Sequence, residues 1–350
     1  MTTERPPASW AALIVLATLA TICALYFGRE FLVPIALSVL FTGLLRPLVR
    51  SLEALRIPTA AGATVVLVVF LGAVGLGANA LADPVRGWIA KAPQSLTQAE
   101  ARLRRLRRPL QQITSAAERV ESGGQPQSGQ PSSGSPPDGP GIAARVFGTT
   151  TSLVGGIVEV LLLTFLLLAS GDLFMQKLVK VLPFRGDKVT AVRIASEVEA
   201  AVSRYMGATA LINLGQGVVV ALAMLLLHMP SPVLWGVLTF FLEFIPYLGA
   251  AFMLIALGVV GLGAFDNVGH ALLAPGAYLL ITTLQNNLVS PVAYGWRLRL
   301  NPVAVLVGVL FWWYLWGVPG AFLSVPIIAA VKIMGDHIES LKPLGEFLAD

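Results

Sequence analysis

Eight apolar runs, at 11–28, 31–45, 57–82, 146–169, 205–227, 233–263, 271–289 and 300–331, occupy most of the 350-residue chain. A bilayer's hydrocarbon core is about 30 Å thick and takes about 20 apolar helical residues to cross. No water is present there to satisfy backbone N–H and C=O groups, so a crossing segment must pair them internally, as a helix does. The charge content agrees: 12% of residues are charged and 56% are hydrophobic, with a mean hydropathy of +0.77. A soluble domain carries about 25% charged residues. Half that number cannot solvate a globular surface, which excludes a soluble enzyme, a disordered chain and a nucleic-acid binder. The expected class is an all-α, polytopic integral membrane protein with the lipid bilayer as its first partner.

Where the charges fall gives a topology. Lys and Arg total 24 against 19 acids, a net charge of +5, and most lie between the apolar runs. Short basic loops usually lie in the cytoplasm. Arg46, Arg50 and Arg56 mark one such loop; Lys177, Lys180, Arg185, Lys188, Arg193 and Arg204 mark another, and two intervening runs make the assignments consistent. Region 83–145 is then outside. Leu96, Leu103, Leu106, Leu110 and Ile113 recur there at helical spacing, interrupted at Pro109, beside an arginine cluster at 102–108 read as a solvated face. A linker of Ser, Gly, Gln, Pro and Asp follows at 122–141, with nothing apolar to bury. Asp187 is expected to cap an amphipathic helix running through Val192 and Val202 into the next span. The chain therefore divides into spans one to three (1–82), an extramembrane region (83–145), span four (146–170), a cytoplasmic amphipathic segment (171–204), a core (205–335) and a tail (336–350).

The core carries the functional signal. Run 233–263 has 31 residues, about 46 Å as one helix, too long for a simple crossing. It is interrupted by Glu243-Phe244-Ile245-Pro246-Tyr247-Leu248-Gly249. Run 300–331 has 32 residues and is interrupted at Gly317-Val318-Pro319-Gly320, with Pro326 beyond. Backbone that leaves the helix at membrane depth survives only inside protein or beside water, and transporters bind solutes and ions at such breaks. A proline kink without a ligand is the plainer reading of one break; two breaks, one carrying a carboxylate, favour a site. If Arg204, Arg297 and Arg299 share a side, run 233–263 must enter and return as a hairpin with its tip at Pro246.

Glu159 and Glu243 are the acids set well within apolar runs. A charge at the bilayer centre costs about 2.5–3.5 kcal/mol on insertion scales, so each is a candidate for carrying a proton or binding a cation. Glu243 is the stronger because it adjoins a break, with Pro246 and Tyr247 beside it. Asn213 and Gln216 lie three apart on one helix face, and Gln285, Asn286 and Asn287 close another run. Singly, such residues are helix-packing glue worth about 0.6 kcal/mol; near two breaks they become candidate ligands. Pro246, Gly249, Gly317, Pro319, Gly320 and Pro326 are the candidate hinges. The single cysteine, Cys23, permits no intramolecular disulfide, and His228, His270 and His337 have no metal-ligand spacing. Neither a metal nor a cofactor is implied, and no nucleophile, nucleotide-loop or HExxH pattern is present.

The order Phe244-Ile245-Pro246-Tyr247-Leu248-Gly249, Asn287-Leu288-Val289-Ser290-Pro291, Gly295, Leu300-Asn301-Pro302, then Gly317, Gly320 and Pro326, resembles the autoinducer-2 exporter (AI-2E) family. Phe31-Leu32-Val33-Pro34-Ile35-Ala36 followed by Arg46-Pro47-Leu48 is similar to that family's N-terminal signature. The 122–141 linker looks longer than usual. The resemblance implies a bacterial inner-membrane permease of about eight membrane segments, assembled as a homopentamer with a mobile part in each protomer. It further implies export of the furanosyl signal autoinducer-2 for some members and Na⁺(Li⁺)/H⁺ antiport for others. Three readings follow: a secondary exporter of a small polar solute using both breaks with Asn286 and Asn287; a cation/proton antiporter centred on Glu243; and a non-transporting scaffold acting through 83–145.

Overall fold

The computed structural model describes residues 8–77, 142–171, 185–290 and 301–348, with a few isolated positions between them. The amphipathic stretch, arginine cluster and linker expected within 83–141, and Arg297 and Arg299, lie outside the described residues. Ten α-helices are described: α1 Ala8–Phe27, α2 Arg29–Ala54, α3 Thr59–Gly77, α4 Ile142–Ser170, α5 Arg185–Leu226, α6 Pro232–Leu242, α7 Leu248–Ala264, α8 Val268–Leu284, α9 Pro302–His337 and α10 Lys342–Leu348. The apolar runs are thus helices, and the protein is an all-α polytopic membrane protein. α2, α3 and α5 are each long and apolar enough to cross a bilayer as a single helix.

Two packed regions are joined by a buried cluster of Leu40, Met206, Phe244 and Leu323, which ties α2 to α5, the first hairpin and α9. On the N-terminal side, Leu45, Val49, Ala63, Val66 and Leu168 form a small core joining α2, α3 and α4. Ser38 of α2 donates to the Val160 carbonyl of α4 at 3.1 Å, an interhelical bond of the kind that holds membrane helices together. α1 is mostly exposed, with Leu13 and Leu16 about 70% accessible. It touches the rest through the Trp316 indole, which donates to the Leu25 carbonyl at 2.9 Å.

The C-terminal side is denser. Val220, Met224, Met229, Trp235, Met253, Leu257, Val260, Ala274 and Tyr278 pack α5, α6, α7 and α8 into one core. The backbones of α5 and α6 meet at a pair of glycines: a Cβ on Gly217 would stand 2.6 Å from the Gly236 carbonyl oxygen. Only glycine fits on either side of so close a crossing. α5 has 42 residues, about 63 Å of helix, and carries the polar segment after 185 straight into the apolar run. It begins at Arg185, so Asp187 lies inside its first turn rather than at the cap.

Both over-long runs turn back on themselves. α6 and α7 are separated by residues 243–247, and Trp235 of one arm shares a core with Met253, Leu257 and Val260 of the other. In α9 the backbone leaves helical geometry at Gly317 alone (φ 65°, ψ −144°), a conformation open to glycine and hardly to other residues. Gly308 then lies against the Ile328 side chain. In a straight helix those residues would be about 30 Å apart; α9 is a hairpin of two arms, 302–316 and 318–337. Pro319, expected as part of the break, falls in the first turn of the second arm, where its missing N–H does no harm. Gly320 and Pro326 are buried within that arm.

The two tips meet. The rings of Phe244 and Phe322 are 5.1 Å apart between centroids, and Ile245, Val309 and Ala321 form a buried cluster beside them.

Candidate functional site

Helix α6 ends at Leu242, and the next residue, Glu243, holds the tip by donating its backbone N–H to the Thr239 carbonyl at 3.0 Å. Its carboxylate is half-buried and points at two neighbouring helices. Oε1 accepts from the Tyr278 hydroxyl of α8 at 2.5 Å and from Gln216 Nε2 of α5 at 3.1 Å. The Thr282 hydroxyl, one turn beyond Tyr278, completes the set: it bonds the carboxylate and accepts from Gln216 Nε2 at 3.0 Å. Tyr278, Thr282 and Gln216 are all at least 94% buried. Spacing of four puts Tyr278 and Thr282 on one face of α8.

An ionised carboxylate only accepts hydrogen bonds, and here hydroxyls and an amide supply them. Among the described residues no Lys, Arg or His side chain joins the cluster. Gln216 turns its Oε1 into the same region, buried and without a partner. The site therefore holds a carboxylate, two hydroxyls and an amide oxygen in reach of one another. Such a set can accept a proton, the hydroxyl or N–H groups of a polar solute, or a hard cation, which takes oxygen ligands. Among the described residues no group of three or more His, Cys, Asp or Glu is placed to hold a metal.

The rest of the tip serves geometry. Asn213, buried, donates to the Phe240 carbonyl at 3.3 Å, satisfying one of the carbonyls that a helix end leaves unpaired. The Leu248 N–H bonds the Pro246 carbonyl at 2.7 Å across Tyr247, whose φ of 63° and ψ of −49° make this a γ-turn of the strained, positive-φ form. Gly249 follows, packed so tightly that a Cβ would overlap the Leu242 carbonyl.

The remaining sequence candidates lie elsewhere. Glu159 is exposed on α4 and is not a partner of Glu243. Asn286 and Asn287 are exposed on a π-helical turn, Gln285–Val289, that extends α8, and Asn287 donates back to the Thr283 carbonyl at 2.8 Å. Gln285, on the inner side of that turn, donates to Ser290 Oγ at 2.8 Å. Tyr278 and Thr282 were absent from the sequence candidates. Their signal was two hydroxyl side chains one turn apart inside an apolar run.

A helical membrane bundle with two hairpins meeting tip to tip, and a carboxylate held at one tip by buried neutral donors, defines a multi-pass protein of the transporter kind. The model of the AI-2E family transporter matches residues 15–340, and the chain belongs to that family. It is 26% identical over 335 residues to the AI-2 transport protein TqsA of Escherichia coli K12, covering 94% of this chain and 92% of that protein. It is 25% identical over 329 residues to the putative transport protein YhhT of the same strain, covering 92% and 89%. A putative transport protein of Borreliella burgdorferi is 26% identical over 205 residues, covering 58% of this chain and 56% of that one.

Proposed function

We propose that the protein is a secondary transporter that exports a small polar solute, of the autoinducer-2 kind, across the bacterial inner membrane. The observation that carries this reading is Glu243, held at a hairpin tip by Tyr278, Gln216 and Thr282 with no Lys, Arg or His side chain beside it among the described residues. A polyhydroxylated solute offers the same donors as those three side chains. It can take their places on the carboxylate without leaving a buried acceptor bare, so binding and release stay close in energy. An ion gradient, or the solute's own gradient, drives the cycle. The AI-2 transport named for TqsA supports the solute class. The resemblance also supports a homopentamer, and the exposed apolar flank of α1 suits contact with lipid and with further copies.

The test is solute release from proteoliposomes loaded with autoinducer-2, with and without an imposed proton gradient, against protein-free liposomes. Protein-dependent release that responds to the gradient is expected. Glu243→Gln keeps the shape and removes the charge, and should lower that release by about tenfold or more, the value of one charge-assisted hydrogen bond. Release equal to the protein-free control would overturn the export reading. Proton flux driven by Na⁺ alone would replace the solute with a cation at the same carboxylate.

A further inference from the structure

A second site lies at the other end of α5. Run 31–45 in α2 is uncharged and stops at Arg46; run 205–227 in α5 is uncharged and is preceded by Arg204. Both arginines therefore mark one edge of the apolar zone, and they open onto the same cleft. It has a volume of about 240 Å³ and is lined by Arg46, Arg50, Ser196, Glu199, Ser203 and Arg204, among others. Glu199 accepts from Arg46 Nε at 3.1 Å and from Arg50 Nη2 at 3.3 Å. Arg204 donates Nε to the Ala200 carbonyl at 3.0 Å, which anchors its guanidinium at the rim. The lining thus brings three guanidiniums and one carboxylate together, with Arg46 and Arg50 on the carboxylate and Arg204 on the backbone beside it.

We infer that this cleft binds the phosphate of an anionic phospholipid headgroup. Guanidinium forks match the oxygens of a phosphate in pairs, and basic pockets between membrane helices take anionic headgroups. Depth selects a lipid over a soluble anion: the arginines stand where the apolar runs end, which is where lipid phosphates lie. Val39, 56% exposed inside the apolar run and two turns before Arg46 on the same face of α2, offers apolar surface along which an acyl chain can lie. Glu199 braces Arg46 and Arg50 in position.

The test uses the full-length protein, purified and delipidated, titrated with phosphatidylglycerol or phosphatidylcholine and read by native mass spectrometry. One phosphatidylglycerol should bind in preference to phosphatidylcholine. Arg50→Gln and Arg204→Gln should each weaken it about fivefold, while the lysine variants, which keep the charge and lose the fork, should fall between. Arg29→Gln, at the opposite end of α2, should leave binding unchanged. Should one of the two glutamine variants fail to fold, the other gives the same reading. Equal binding of the two lipids, or an equal loss in Arg29→Gln, would overturn the site. Displacement of the bound phosphatidylglycerol by millimolar inorganic phosphate would overturn the choice of a lipid.

Discussion

The two hairpins solve one problem by different means. The α6–α7 hairpin opens its helix over five residues, 243–247, and places a carboxylate and a tyrosine there. The α9 hairpin reverses at a single residue, Gly317, and no charged side chain lies in 302–331. Tyr247 takes a positive φ of 63° that favours glycine, whereas Gly317, at 65°, is glycine. Strain of this kind costs of order 1–3 kcal/mol and persists only where the surroundings over-determine it. The second hairpin reads as a device for packing, whose tip supports the first. The first holds its strain next to Glu243.

Substitutions at the two turns can break that contrast. Gly317→Ala puts a Cβ into a conformation nearly closed to it and should lower stability by about 2–3 kcal/mol; a thermal melt in detergent equal to the parent's would show that the α9 turn can relax. Tyr278→Phe removes the shortest bond to Glu243 together with the hydroxyl's contact with Thr282 and leaves the ring in place, so release from proteoliposomes should fall about tenfold while the melt moves little. A large drop in the melt with unchanged release would make Tyr278 a packing residue. Tyr247→Gly should do the opposite of Gly317→Ala, relieving strain and raising stability by about 1 kcal/mol. A destabilised Tyr247→Gly would mean that the ring, not the backbone, holds the first tip.

Much of this architecture was legible in the chain. Apolar runs near 20 residues can only be helices in a bilayer, and the lengths of 233–263 and 300–331 showed that neither is one straight span. Glu243 stood out because a carboxylate in such a run has few ways to persist. Its partners were harder to see. Gln216 was visible as a polar residue on an apolar face, but Tyr278 and Thr282 read as ordinary members of a span. Their role depends on α8 turning that face to α6, which one helix's sequence does not encode. Asn286 and Asn287 are not among those partners for a related reason. They lie near a break in sequence, yet the widened turn at Gln285–Val289 shifts the register and leaves them exposed. Breaking α9 at Pro319 and Gly320 as well overcounted: proline ends a helix only where its N–H is needed, and in a first turn it is not.

The glycine crossing of α5 and α6 has a mechanical result. Gln216 adjoins the contact at Gly217, and Glu199 lies seventeen residues earlier on the same unbroken helix, about 25 Å away. Backbones this close cannot slide past one another without collision, so the crossing is a fixed point shared by α5 and the first arm of the hairpin. A tilt of α5 by about 10° about that point would carry the Glu199 end roughly 4 Å sideways. Such a tilt would move the arginine cleft far more than the carboxylate.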